Sequence, residues 1–272
     1  MIPFDFITEW RQRAPWVQDA QVEQDLIISR VLVEMFTQDE VANTLAFRGG
    51  TALYKLYLQP AVRYSEDIDL VQVVAGPIGA ALDAIRGTLD PWLGDAKRAF
   101  KEGSATLVYR MRSEGPSPLP LRLKIEINTR EHFSVFGIEK HRFAVQSRWF
   151  SGSVLVATYV LDELLGTKMR ALYQRKKGRD LFDLWYADRQ ATVDAGRVVE
   201  SFRQYLDHSG LRVSRAEFEA NLEEKLSDRR FLGDISPLLA PDSIWDPADA
   251  ERYAREELLA RLPGEAWKGS TS

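Results

Sequence analysis

The stretch TLAFRGGTALYKLYL at 44–58, with RYSEDIDL at 63–70 behind it, decides how the rest of the chain is read. Residues 44–48 are short, apolar and bounded by Gly49-Gly50, which predicts a buried strand ending in a tight turn. Residues 51–58 have apolar side chains at helical spacing and stop before Pro60, which cannot continue a helix. Residues 67–74 (DIDLVQVV) predict a second strand, stopped by Gly76-Pro77. The unit is strand, glycine turn, helix, strand. Two glycines at the turn let backbone N–H groups come close to a ligand. Thr51 is expected as the helix N-cap, with a hydroxyl able to reach a phosphate. A plain strand-to-helix turn has the same signature.

In a strand, alternate side chains share a face, so Asp67 and Asp69 project together while Ile68 and Leu70 go to the core. Paired carboxylates repel unless a cation lies between them, and Mg2+ prefers such oxygen ligands. A solvent-facing strand edge reads the same way. Residues 119–128 predict another strand, and 121–128 alternate strictly: Leu121, Leu123, Ile125 and Ile127 on one face, Arg122, Lys124, Glu126 and Asn128 on the other. Beside the 67–74 strand, Glu126 would complete a three-carboxylate cluster, with Lys124 next to it for a phosphate.

Outward from this centre, Val22, Leu26, Ile27, Val31 and Met35 predict a helix over 18–38. A helix follows over 78–90, a strand over 104–113, a turn-rich segment at 114–118 and a weaker strand over 142–150. From about 157 helical spacing dominates. The expected domains are 1–155, mixed α and β, and 156–272, helical, with 151–159 (SGSVLVATY) as linker and a polar, frayed tail at 265–272.

Composition closes off other classes. The 272 residues contain no Cys, which excludes a disulfide scaffold and thiol catalysis. His132, His141 and His208 are too scattered for a His-built metal site, and no Gly-x-Ser-x-Gly is present. A net charge of −4 gives no global sign of nucleic-acid binding. Asp5 and Glu9 interrupt the N-terminal segment, so it is not read as a signal peptide, and no apolar run is long enough to span a membrane. A cytoplasmic protein is expected.

Residues 160–174 predict a helix with Leu161, Leu164, Leu165, Met169 and Leu172 on its apolar face and Lys168 at the flank. Arg175, Lys176, Lys177 and Arg179 put four cations in five positions. Asp180 and Asp183 share a helix face, which fits an ordinary helix start as well as a functional pair.

Phe47-Arg48-Gly49-Gly50-Thr51-Ala52-Leu53, followed by Arg63-Tyr64-Ser65-Glu66-Asp67-Ile68-Asp69-Leu70, resembles the AbiEii/AbiGii toxin family, which includes MenT-like members. Lys168-Met169-Arg170-Ala171-Leu172, Arg179-Asp180-Leu181-Phe182-Asp183-Leu184 and FLGDISPLL at 231–239 are similar to later segments of the family, so the likeness spans roughly 20–240. Arg48 stands where MenT-like members often carry Lys. The resemblance implies an α+β fold, a DNA polymerase β-type nucleotidyltransferase mixed sheet, with a helical C-terminal lobe completing the active site. It implies a toxin of a type IV toxin–antitoxin system or phage-defence locus, with an antitoxin encoded nearby. The activity implied is Mg2+- or Mn2+-dependent transfer of a nucleotide from an NTP to the 3′ end of tRNA, which blocks translation.

The roles that follow are metal binding by Asp67, Asp69 and Glu126, with Glu126 as ligand or base. Arg48, Gly49, Gly50, Thr51 and Lys168 would bind nucleotide, and Lys168 and Asp183 would belong to the active site. Arg175, Lys176, Lys177 and Arg179 would face the RNA. The other readings are a small-molecule or protein-hydroxyl acceptor, and a non-catalytic nucleotide-binding defence protein.

Overall fold

The computed structural model describes residues 2–115 and 117–269. Pro116, in the turn-rich 114–118 segment, and the last three residues of the polar tail lie outside the described residues, as does Met1. The chain divides into two compact units, 1–159 and 160–272.

The first unit opens with α1 (Phe4–Trp10), α2 (Asp19–Phe36) and α3 (Asp39–Thr44). Next come β1 (Leu45–Arg48), α4 (Gly49–Ala52, running on as a π-helical turn over Leu53–Tyr57), β2 (Asp67–Gln72) and α5 (Gly79–Leu93). Five strands complete it: β3 (Lys97–Lys101), β4 (Ser104–Arg112), β5 (Pro120–Asn128), β6 (Ile138–Gln146) and β7 (Ser151–Tyr159). The sheet has seven strands in the order β3-β4-β5-β2-β1-β7-β6. The β2–β5 and β1–β7 pairs are parallel and the rest antiparallel, so the sheet is mixed.

One sheet face is the core. Ile68, Leu70, Leu107, Tyr109, Leu123, Ile125 and Ile127 are all buried there. α2 is buried along most of its length, including Glu23, Gln24, Asp25 and Ser29. Gln24 Nε2 donates to the carbonyls of Arg122 (2.9 Å) and Glu66 (3.3 Å), stitching α2 to the β2–β5 junction. Asp25 accepts from Trp10 Nε1 (2.9 Å) and Lys55 Nζ (2.8 Å), which ties α1 and the π turn to α2.

Two sequence expectations need correction, and one strand, β3, has no counterpart among them. Residues 151–159 are not a linker but β7. It pairs with β6 along its whole length; its first half reads as small and polar, and in its second half Val156, Ala157, Thr158 and Tyr159 are all buried, so alternation is lost. The strand expected over 142–150 runs over 138–146, because Ser147–Phe150 forms the turn into β7. β3, KRAFK, is exposed throughout and has no apolar alternation to reveal it.

The second unit contains α6 (Leu161–Gln174), α7 (Gly178–Gln190), α8 (Ala195–His208), α9 (Arg215–Leu226), α10 (Arg229–Gly233) and α11 (Pro247–Tyr253). Side chains of Asp194, Ser214, Asp228 and Asp246 cap α8 to α11, accepting from first-turn amides. Gly166 lets α6 and α8 cross closely, since a Cβ there would lie 2.5 Å from Ser201 Oγ.

Candidate active site

β1 and β2 sit at the middle of the sheet, and the polar face they share gathers the charged residues. Arg48 is the register partner of Asp69 across the β1–β2 pair. On the other side of β2, Asp69 partners Glu126 and Asp67 partners Lys124 across the parallel β2–β5 pair. Partners directly opposite point to the same face, so Arg48, Asp67, Asp69, Lys124 and Glu126 lie together on it. All five are half-buried.

The glycine turn lies against this cluster. Gly49 has φ +80°, and a Cβ built on it would be 2.3 Å from Asp69 Oδ2. Glycine is needed there twice over, for its backbone conformation and to let the Asp69 carboxylate close on the turn. Gly49→Ala is expected to destabilise the protein by about 2 kcal/mol or more and to lower transfer about a hundredfold by displacing Asp69. Thermal melting and labelled-NTP incorporation check both effects; an alanine variant with wild-type values in both would remove the close approach from the argument.

Thr51 is not the N-cap. Arg48 holds that position, and Thr51 lies inside the first turn, 2% exposed. Its hydroxyl donates to the backbone carbonyl of Asp67, with Ser65 Oγ at 2.9 Å. The side chain therefore fixes where β2 begins, and with it the position of Asp67.

Charge pairing orders the cluster. Arg48 Nη1 donates to Glu131 Oε2 at 2.7 Å. Burial lowers the affinity of Arg48 for its proton, but Glu131, Tyr159 and Asp69 outweigh it and the net shift is upward. Lys124 pairs with Glu126. Burial opposes its charge too, and the Glu126 hydrogen bond with the charges of Glu126, Asp67 and Asp69 again wins. Asp67 behaves otherwise: burial first, then the charge of Asp69, push its carboxyl up to about 6.

That shift has a sign for stability. Asp67 binds its proton more tightly folded than unfolded, so its contribution is full below about 3.8 and is lost as pH rises through about 6. Asp67→Asn is therefore expected to raise the melting temperature at pH 8, by about 1 kcal/mol of stability after solvent screening, and to have no such effect at pH 3.5. Equal melting shifts at both pH values would contradict the strained carboxylate pair.

The residues suit a divalent cation by their chemistry. Asp67 and Asp69 offer hard oxygens from one strand face, and their repulsion is what a cation relieves. Among the described residues no three Asp, Glu, His or Cys side chains already converge as a metal site. The carboxylate of Glu126 is engaged by Lys124, although its backbone register puts it beside Asp69.

In the helical unit, Lys168 Nζ lies 2.8 Å from Asp183 Oδ2 and 3.3 Å from Asp180 Oδ1. Arg175 grips Asp180 with two prongs, at 2.7 and 2.8 Å. Both carboxylates are fully buried and Lys168 nearly so. Burial raises the Asp180 pKa, but Lys168 and Arg175 overcome it, and the carboxyl lies below its ordinary value. The basic run is compensated along its length: Arg175 faces Asp180, Lys176 faces Asp228 and Glu224, and Lys177 and Arg179 face Asp234. Glu131, the partner of Arg48, was invisible to sequence reasoning because 83 positions separate them.

Comparison with curated proteins gave no match. Several solved structures share the fold, among them two nucleotidyltransferases. MenT4, a nucleotidyltransferase toxin from Mycobacterium tuberculosis, is 18% identical with a TM-score of 0.61, over 97% of this chain and 91% of that one. A nucleotidyltransferase structure from H. pylori is 19% identical with a TM-score of 0.55, over 88% of this chain and 93% of that one. Residues 30–257 match the family described as nucleotidyl transferase AbiEii toxin, type IV TA system. That match takes in the glycine turn, all three carboxylates and the Lys168 cluster, and the chain belongs to the AbiEii family of nucleotidyltransferase toxins.

Proposed function

We propose that this nucleotidyltransferase moves a nucleoside monophosphate from an NTP onto RNA, with the 3′ end of tRNA as acceptor, so that the modified tRNA no longer supports translation. The observation that carries the reading is the Asp69 carboxylate closed against the Gly49 turn, with Asp67 beside it on the same face of β2. An antitoxin partner follows from the family.

In the reaction, the acceptor 3′-oxygen attacks the α-phosphorus, the bond to the β-phosphate oxygen breaks, and pyrophosphate leaves. The hydroxyl proton passes to a carboxylate of the cluster or to water. Gly49 and Gly50 amides hold the triphosphate, and Thr51 acts by positioning Asp67. Asp67 and Asp69, with Glu126 turned away from Lys124, would hold Mg2+ or Mn2+. When bound, the metal neutralises phosphate charge and acidifies the attacking hydroxyl. Lys124, released by Glu126, is then a cation beside the phosphates. Arg48, anchored by Glu131, opposes charge developing near Asp69. The resemblance gives Lys168 and Asp183 catalytic roles as well.

Four separately α-labelled NTPs, each with Mg2+ and total RNA, test the proposal. Label in tRNA-sized RNA from at least one NTP is expected. Label confined to protein or to small molecules would replace the acceptor, and no label would overturn the reading. Independently of activity, Mg2+ should raise the wild-type melting temperature at pH 8 and leave that of Asp67→Asn/Asp69→Asn unchanged; equal shifts would remove the metal from these carboxylates.

A further inference from the structure

Cations toward the β3 edge of the sheet lie outside the site described above. β5, β4 and β3 continue the face that bears Asp67 and Asp69. Following the register, Lys124 sits opposite Val108, which sits opposite Lys97, while Arg122 sits opposite Arg110 and Lys101 opposite Ser104. Arg110, Arg122, Lys97 and Lys101 are exposed, and among the described residues none of them makes an ion pair. The basic run at 175–179, by contrast, is compensated throughout.

The Arg110–Arg122 pair is the informative one. Residues directly opposite in an antiparallel pair hold their Cβ atoms about 5 Å apart, and like charges there are destabilising. Among the described residues no ion pair offsets that repulsion; the Asp67 carboxylate acts on Arg122 only at a distance. Arg122 is also two residues from Lys124, the partner of Asp67, and so about 7 Å along the strand from the carboxylate row. An anion that lies over both arginines would reach the reacting centre within one further step of the pleat. Single phosphates do not need a row of this length; a polymer of phosphates does.

We propose that the exposed face of β3, β4 and β5, centred on Arg110 and Arg122, binds the sugar–phosphate backbone of the RNA acceptor and leads its 3′ end to the Asp67–Asp69 pair. The proposal rests on the RNA-acceptor reading and adds the surface that holds it. Phosphate contacts position a nucleic acid without reading its sequence, so the face fixes the approach of the strand rather than the choice of base.

Binding of fluorescein-labelled total tRNA, measured by anisotropy at several salt concentrations, tests it. Each phosphate contact adds about 0.7–0.9 to the slope of log K against log salt. R110Q/R122Q should flatten the slope by about 1.6 and weaken binding about 30-fold at 0.1 M salt. R110K/R122K, which keeps both charges, should stay near wild type. R110Q alone should melt at or above the wild-type temperature, because it removes a like-charge pair. A wild-type slope in R110Q/R122Q, while wild-type protein still labels RNA, overturns the surface and spares the acceptor reading. A slope loss in K176Q/K177Q without one in R110Q/R122Q moves the surface to the helical unit and also overturns the proposal. No tRNA binding and no RNA labelling by the wild-type protein overturns both. Should R110Q melt lower, R122Q alone carries the measurement, with an expected slope loss of about 0.8.

Discussion

Asp69→Asn is expected to cut nucleotidyl transfer about a thousandfold while shifting the melting temperature by no more than a few degrees. The fold does not depend on this carboxylate, because Ile68 and Leu70 on either side supply the buried contacts of β2. Asparagine keeps the size and shape that Gly49 accommodates, so the glycine turn should be undisturbed. What is lost is one negative charge at the point where Arg48 on β1 and Glu126 on β5 meet β2. Incorporation of α-labelled NTP into RNA at saturating Mg2+, alongside calorimetric melting, measures the two quantities separately. A fully active Asp69→Asn protein would end the metal-carboxylate account.

Lys168→Met should act first on stability. The ammonium is shared by two fully buried carboxylates, and its removal exposes Asp180 and Asp183 to their mutual repulsion in a low-dielectric interior. Breaking a buried ion cluster in this way costs about 3–5 kcal/mol, or roughly 10 °C of melting temperature. Arg175 still neutralises Asp180, so Lys168→Met/Asp183→Asn, which removes charge in balance, should recover a large part of the loss. The catalytic role given to Lys168 by resemblance predicts something further: turnover of the double variant, assayed below its melting transition, stays low although its stability returns. Recovered turnover would make the cluster purely structural, and an unchanged melting temperature in Lys168→Met would refute the buried-cluster argument itself.

The strand–turn–helix–strand unit was legible in the sequence because each of its signals is local: a short apolar run, two glycines, helical spacing, Asp-x-Asp alternation. The strict alternation of 121–128 likewise gave the face of Glu126 and Lys124, and the register with β2 puts Glu126 beside Asp69. Long-range pairing left no such trace. The second half of β7 lost its alternation by being buried on both faces, and β3 had none to show because it is exposed on both. Glu131, the partner of Arg48, and the acids that neutralise 176–179, namely Glu224, Asp228 and Asp234, come from distant segments. A run of cations therefore looked free in one dimension and is paired in three. Thr51 shows a subtler limit: residue type and position suited a helix cap, yet the turn began two residues earlier and the hydroxyl was taken by the Asp67 carbonyl.

The sheet order also sets when this toxin can first become active during its own synthesis. β1 leans on β7, whose Thr158 hydroxyl donates to the Phe47 carbonyl 111 positions earlier, and β2 leans on β5. β2 gains its second neighbour only when β5, which ends at Asn128, has emerged, and β1 only when the segment that ends at Tyr159 has. At ordinary elongation rates that is on the order of ten seconds after β2 emerges. Non-local strand pairing is also the slow kind to form. A nascent chain therefore carries both aspartates for that interval without the complete sheet that backs β1, which leaves a window in which the cell holds the polypeptide but not the finished enzyme.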